Sequence, residues 1–183
     1  GQALLRAQPA AKSYACEAPA DIQASIDQAS LTRIDALLEQ DPNNFWLLRA
    51  YIDATIGRPR VGTIQAPDTA IPKDRVDESV IDRYRKKYAA RPSDPEAAYL
   101  YAYALVHRDT GKSIEILDTV TQQTPSFPSA WLTLAVIHNF PNYFDQAKQR
   151  KYAENYIAQC PNTIESRIAG IAMKLDRSDA LTN

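Results

Sequence analysis

The stretches "RPSDPEAAYLYA", residues 91–102, and "TPSFPSAWLTLA", residues 124–135, each place two prolines directly ahead of apolar residues at helical spacing. Proline is tolerated in the first turn of a helix but breaks a helix interior, so both stretches predict the end of one helix and the start of another. Pro92, Pro125 and Pro161 are 33 and 36 residues apart. This spacing predicts a repeating unit of two helices.

The proline spacing in the first half of the chain also fits this two-helix unit, except for one insertion. Pro42 lies 50 residues before Pro92, an excess of about 16 over a unit of about 34 residues. The stretch 58–74, "RPRVGTIQAPDTAIPKD", has nearly that length, contains three of the twelve prolines and shows no helical period. We therefore predict an inserted loop at 58–74, inside a unit rather than between two units.

Two more helices are predicted ahead of that loop. Apolar residues from Ile22 to Leu38 largely follow three-and-four spacing and predict one amphipathic helix, ended by Pro42. The next helix starts after a capping asparagine, Asn43 or Asn44. It ends at Gly57, where the absence of a Cβ suits a left-handed helix end.

Composition limits the class of protein. The chain has 183 residues, of which 45% are hydrophobic, and a net charge of −1, which disfavours disorder and a strongly charged nucleic-acid binder. It contains no apolar run of about 18 residues, so we expect no membrane insertion. The length fits one compact domain or a short array of repeats.

Motifs for catalysis or cofactor binding are absent from the sequence. It has no phosphate-binding loop, dinucleotide fingerprint, nucleophile elbow or HExxH pattern, and we predict no catalytic residues, no metal site and no cofactor. Cys16 and Cys160 form no cluster with histidine, and two alternatives stay open for them: two small buried residues, or one disulfide. His138 is predicted to be a packed or capping residue.

The repeating unit resembles the tetratricopeptide repeat, which is built from two helices and closed by a proline. Between Asp94 and Pro125, the residues at the family's core positions are Ala97, Leu100, Tyr101 and Ala104 in the first helix, and Ser113, Leu117 and Val120 in the second. In the next unit, Trp131 occupies the family's aromatic position, followed by Leu134 and Ala135, and Ala147 matches its second-helix alanine. Ser113 stands where the family usually has alanine.

The resemblance implies an all-α fold, a right-handed superhelical array of antiparallel helix hairpins with eight to nine helices. Residues 1–20 would form an N-terminal segment, 21–175 a single repeat domain, and 176–183 a C-terminal tail. The last helix, "IESRIAGIAMKL", is expected to pack on the preceding helix within residues 145–160.

The resemblance also implies a concave groove, formed by the first helix of each unit, that binds a protein or peptide. In this sequence the groove residues would be Trp46, Arg49, Asp53, Ala98, Ala102, Leu132, Val136 and Asn139. The set lacks the Lys/Asn clamp of chaperone-binding members, so an acidic C-terminal tail is not the expected ligand. For Arg49 and Asp53 the alternative is an ion pair within one helix.

A second group of candidates follows from helical spacing alone. Tyr99, Tyr103 and His107 are four residues apart and share one helix face, and tyrosine is favoured in binding surfaces. We predict a partner-contact stripe, with packing against an adjacent helix as the alternative.

The expected function is therefore a noncatalytic scaffold that holds a protein, a peptide or an adjacent domain of its own chain. The sequence begins with Gly1 and its only methionine is Met173, which agrees with a removed export signal, although an internal start point agrees equally well and a cytoplasmic location stays open. The alternative function is a regulatory or substrate-presenting N-terminal part of a larger exported enzyme, for example of redoxin type, whose catalytic domain follows Asn183. Catalysis within this chain would require His107 or His138 beside carboxylates.

Overall fold

The computed structural model describes residues 13–27, 31–55 and 77–180. Within these residues the chain forms nine α-helices and one 3₁₀ turn, and no strand, which confirms the all-α prediction. The predicted loop at 58–74 and the predicted helix end at Gly57 lie outside the described residues. The helices are α1 (Ala20–Asp27), α2 (Leu31–Gln40), α3 (Phe45–Thr55), α4 (Glu78–Ala90), α5 (Pro95–Leu105), α6 (Thr110–Gln123), α7 (Pro128–Ile137), α8 (Gln146–Gln159) and α9 (Ile164–Ala180), with the 3₁₀ turn at Pro141–Tyr143 between α7 and α8.

Two predicted boundaries differ from the structure. The helix predicted from Ile22 to Leu38 appears as two helices, α1 and α2, and residues 28–30 between them lie outside the described part. The predicted tail at 176–183 is helical as far as Ala180, because α9 continues past Leu175.

Short polar side chains begin most of the helices. The Asn44 side chain accepts hydrogen bonds from the backbone N–H groups of Trp46 (3.1 Å) and Leu47 (3.2 Å) at the start of α3. Asp94 accepts one from Glu96 N–H (3.0 Å) at α5, and aspartates cap α4, α6 and α8 in the same way. These bonds satisfy backbone donors that have no partner within the helix.

Most helices pack on a neighbour in the chain, and α3 and α5 also pack on the first helix of the next pair. Contacts join α2 to α3, α4 to α5, α5 to α6, α6 to α7 and α7 to α8, while α3 packs on α5, and α5 on α7. The last helix, α9, packs on α8, as predicted. The central helix α5 is consequently covered by α3, α4, α6 and α7.

Small residues and hydroxyl groups allow these close approaches. Ser113, fully buried on α6, donates its hydroxyl to the carbonyl of Ala102 on α5 at 2.8 Å. Tyr84 on α4 likewise donates to the Leu48 carbonyl on α3 at 2.7 Å. The core position that the resemblance assigned to Ala147 is wrong, because Ala147 is exposed. The residue equivalent to Ser113 is instead Gln149, which is partly buried. Each stands four residues after the aspartate that caps its helix, Asp109 for Ser113 and Asp145 for Gln149.

A disulfide ties the N-terminal segment to the C-terminal half of the fold. Cys16 and Cys160 are bonded, with their Cα atoms 5.8 Å apart, so the alternative of two separate buried thiols is wrong. Cys16 precedes α1, and Cys160 lies in the turn between α8 and α9. Nearby, the Tyr14 ring meets the Phe127 ring edge-on at 4.8 Å.

Across the described ranges, every helix is too short or too polar to cross a bilayer.

Candidate functional site

Arg49 on α3 stands at the centre of an aromatic and acidic cluster. Its guanidinium carbon lies 5.2 Å from the ring centre of Tyr103, 5.9 Å from that of Tyr99 and 5.8 Å from that of Trp46. A cation over aromatic faces is attracted by the negative potential of the rings. We refer to Trp46, Arg49, Asp53, Tyr99 and Tyr103 as the Arg49 cluster.

Hydrogen bonds fix the phenols of this cluster. Tyr103 donates to Asp53 Oδ1 at 2.7 Å, which links α5 to α3. The Tyr99 hydroxyl lies 3.2 Å from Thr133 Oγ1, which links α5 to α7. The two rings are stacked, with centres 5.5 Å apart. Arg49 and Asp53 therefore belong to a network across three helices, which is more than the intrahelical pair considered from the sequence.

Burial and charge set the ionisation of the cluster. Burial raises the pKa of the Tyr99 phenol to about 12, although the neighbouring Arg49 charge lowers it. Burial alone would lower the pKa of Arg49, but Tyr99, Tyr103 and Asp53 raise it above its ordinary value. At neutral pH the cluster therefore holds a charged guanidinium beside the neutral phenol of Tyr99.

Several predicted contact residues are inaccessible. Tyr99 is 0% exposed and Tyr103 7%, and Ala98 and Ala102 are also buried. Tyr99, Tyr103 and Ala102 cannot contact a partner without rearrangement of the core, because α3, α4, α6 and α7 pack on α5, and Ala98 does not face the predicted groove but lines a cavity between α5 and α6. Tyr99 and Tyr103 pack against adjacent helices instead, which is the alternative considered for them from the sequence. His107 lies beyond the end of α5, partly buried, and stacks on Phe140 at 5.6 Å.

The accessible candidates lie on α3 and α7. Val136 is 50% exposed, Asn139 is exposed, and Leu132, Trp46, Arg49 and Asp53 are partly exposed. The predicted list omitted α9, where Ile164, Ile168 and Ile171 are 62%, 45% and 60% exposed. Their spacing of four and three residues is visible in the sequence. It is typical of one helix face, but spacing does not show whether another helix covers that face.

His138 packs within the fold, as His107 does. His138 is buried at the end of α7, where its Nδ1 atom lies 3.0 Å from the Tyr143 carbonyl oxygen and its ring stacks on Tyr152 at 5.5 Å. This confirms the prediction of a packed, capping residue. Within the described ranges, no group of three His, Cys, Asp or Glu side chains is placed to hold a metal ion.

Comparison with protein-family models, with curated proteins and with solved structures finds no match to this chain. The resemblance to the tetratricopeptide repeat therefore stays a prediction.

Proposed function

We propose that this protein is a noncatalytic scaffold whose hairpins stack in a right-handed superhelix and bind an apolar segment of another polypeptide. The binding face would be formed by the first helices of successive units, α3, α5, α7 and α9. The packing of α3 on α5, and of α5 on α7, supports this arrangement.

Equivalent positions in the repeat indicate the binding face. Two rows of residues occupy equivalent positions relative to the proline that precedes their unit. Seven residues after it stand Arg49, Tyr99, Leu132 and Ile168, and eleven residues after it stand Asp53, Tyr103 and Val136. In the first two units these positions touch one another in the Arg49 cluster. We infer that the same rows continue across α7 and α9.

The observation that carries the proposal is the change in exposure along these rows. The row positions on α5 are buried, whereas Val136 on α7 is 50% exposed and Ile168 on α9 is 45% exposed. Single exposed apolar residues are ordinary, but we infer that these residues, at repeated positions of α7 and α9, would form a continuous patch, and such patches mark interaction sites. The partner segment would present apolar side chains to Leu132, Val136 and Ile168.

A peptide selection tests this proposal. The immobilised protein would be challenged with a library of random 12-residue peptides, and the affinities of enriched peptides would be measured by titration calorimetry. We expect apolar peptides whose affinity falls at least tenfold in Val136→Glu and stays unchanged in the matched control Ala147→Glu, since Ala147 is exposed on α8. No enrichment, or equal loss in both variants, would contradict the proposal.

The disulfide supports the proposed export, because disulfides persist in oxidising compartments and are rare in the cytosol. A fractionation experiment would test it: the Cys16–Cys160 bond should be intact in protein trapped with a thiol-alkylating reagent from the native cells. Fully reduced protein in the cytosolic fraction would contradict export. A regulatory or substrate-presenting role within a larger exported enzyme remains the alternative hypothesis.

A further inference from the structure

A cavity opens on another side of α5, away from the Arg49 cluster. It has a volume of about 320 Å³ and lies between the end of α4, the turn before α5, and α6. Its floor is formed by Ala98 and Tyr101 of α5 and Ile116 of α6. Pro92 and Gln123 line its edge. Tyr101 also stacks on Tyr88 of α4, which lines the cavity, with ring centres 5.7 Å apart.

The next unit contains the same arrangement with its cavity filled. Ala98 stands six residues after Pro92, and Trp131 stands six residues after Pro125. The second helices, α6 and α8, both have 14 residues. Counted from the helix start, Ile116 corresponds to Tyr152, and Gln123 to Gln159. Pro92, Ile116 and Gln123 at the Ala98 cavity therefore each have a counterpart beside Trp131.

The Trp131 side chain uses these counterparts. Its indole Nε1–H donates to the Pro125 carbonyl at 2.8 Å, and its ring lies 5.9 Å from that of Tyr152. The Gln159 side chain donates to the same carbonyl at 3.0 Å. The corresponding residues Pro92, Ile116 and Gln123 all line the cavity, where Ile116 stands in place of Tyr152, Tyr101 in place of Leu134, and the methyl group of Ala98 in place of the indole.

We propose that this cavity binds a tryptophan side chain of a partner polypeptide, in the position that Trp131 occupies in its own unit. The indole ring would cover Ala98 and Ile116, and its N–H would donate to the Pro92 carbonyl. Such a site combines an apolar floor with a few placed polar groups, as ligand pockets usually do. The site is separate from the proposed groove. Successive residues of a helix are about 100° apart, so Ala98 and Tyr101 face away from Tyr99 and Tyr103.

The first experiment uses N-acetyl-L-tryptophanamide as the probe and N-acetyl-L-leucinamide as the matched control. Both would be titrated to about 10 mM into the isotopically labelled protein while backbone amide NMR signals are followed. We expect saturable shifts from the tryptophan probe at residues 92–98 and 116–124, and none from the leucine probe. Shifts at α7 and α9 instead would indicate the groove, and they would overturn this proposal without affecting the proposed function.

Two variants close the cavity in different ways. Ala98→Trp supplies the indole from within, and we expect a folded protein with an unchanged or higher Tm that no longer binds the probe. Thr119→Arg blocks the exposed rim without altering the core, and should weaken probe binding at least tenfold at unchanged Tm. The matched control is Thr32→Arg, at an exposed position on α2, and should bind as the parent does. If Ala98→Trp does not fold, Thr119→Arg decides: probe binding that persists in it overturns the proposal.

Discussion

At the residue scale, Arg49 shows how a charge is held at the partly exposed edge of a helical core. Removal of a guanidinium from water is costly unless other groups replace the solvent. The faces of Trp46, Tyr99 and Tyr103 and the carboxylate of Asp53 replace it here. Because Tyr103 also donates to Asp53, the cluster joins α3 to α5 through polar groups that have partners.

Tyr99 predicts a specific response to alkaline pH. Its pKa is raised to about 12 in the folded protein by burial, above the ordinary value of about 10, so the neutral phenol stabilises the fold below pH 10. That contribution is lost as the pH rises towards 12, with roughly 1 kcal/mol of it lost by pH 11. We expect the free energy of unfolding, measured in urea at pH 8 and pH 11, to fall less for Tyr99→Phe than for the parent.

The same comparison contains its control. Tyr84 and Tyr152, whose pKa values are also raised by burial, are present in both proteins, so their contributions cancel. At pH 8 the variant should lose about 1 kcal/mol with the hydrogen bond to Thr133. If the free energy of unfolding falls equally in the two proteins between pH 8 and pH 11, the pKa of Tyr99 is not raised in the folded protein.

Two arginines that face aromatic rings should respond differently to substitution by lysine. Arg49 lies over three rings inside the cluster, whereas Arg83 lies 4.7 Å over the single ring of Tyr51, with 39% of its side chain exposed. Lysine lacks the planar group that stacks on aromatic faces. We expect Arg49→Lys to lower the free energy of unfolding by about 1–2 kcal/mol, and Arg83→Lys by less than about 0.5 kcal/mol, in urea titrations. Equal costs would show that stacking inside the cluster contributes nothing beyond an exposed contact.

At the scale of elements, Trp131 connects α7 to α8 and to the turn before α7. Trp131→Ala should remove this contact and open a second cavity like that at Ala98, at a cost of about 2–4 kcal/mol because the ring is partly exposed. Addition of N-acetyl-L-tryptophanamide should recover part of the lost Tm. The control is Leu134→Ala, which empties a site that is 0% exposed and so has no opening for the probe. Recovery in neither variant would count against a rigid, preformed cavity.

Local chemistry explains which elements were predictable from sequence. The prolines predict the unit boundaries, Asn44 is one of the two asparagines expected to cap α3, and the packing of α9 on α8 follows from the order of the helices. The burial of Tyr99 and Tyr103 was not predictable, because four-residue spacing is the same on a covered and an open helix face. The exposure of Ile164, Ile168 and Ile171 was missed for the converse reason. Whether a face is covered depends on neighbours distant in sequence.

At the scale of the whole molecule, one covalent bond joins the two ends of the helical array. Cys16 lies four residues before α1, which packs on α3, whereas Cys160 lies in the turn before α9. Four residues span at most about 14 Å, so the starts of α1 and α9 are held near each other. Repeat arrays otherwise transmit stability only between neighbours, which leaves their ends the least stable parts.

Removal of this bond should therefore have a large effect that is unevenly distributed. The bond closes a loop with a sequence separation of 144, for which chain entropy predicts about 5 kcal/mol of stabilisation, with smaller values where the unfolded state keeps structure. We expect Cys16→Ser/Cys160→Ser to lose about 3–5 kcal/mol in urea unfolding. Amide hydrogen exchange should accelerate first in α1 and α9 and last in α5, which neighbouring helices cover on four sides.

The control is the response to a reducing agent. Dithiothreitol should lower the stability of the parent to near that of the double variant and leave the variant unchanged, because the variant has no disulfide to reduce. If the variant instead exchanges uniformly faster along the whole chain, the repeats unfold as one cooperative unit, and the disulfide stabilises that unit as a whole. A loss below about 0.5 kcal/mol would mean that the packing of α1 on α3 and of α9 on α8 already holds the two ends in place without the bond.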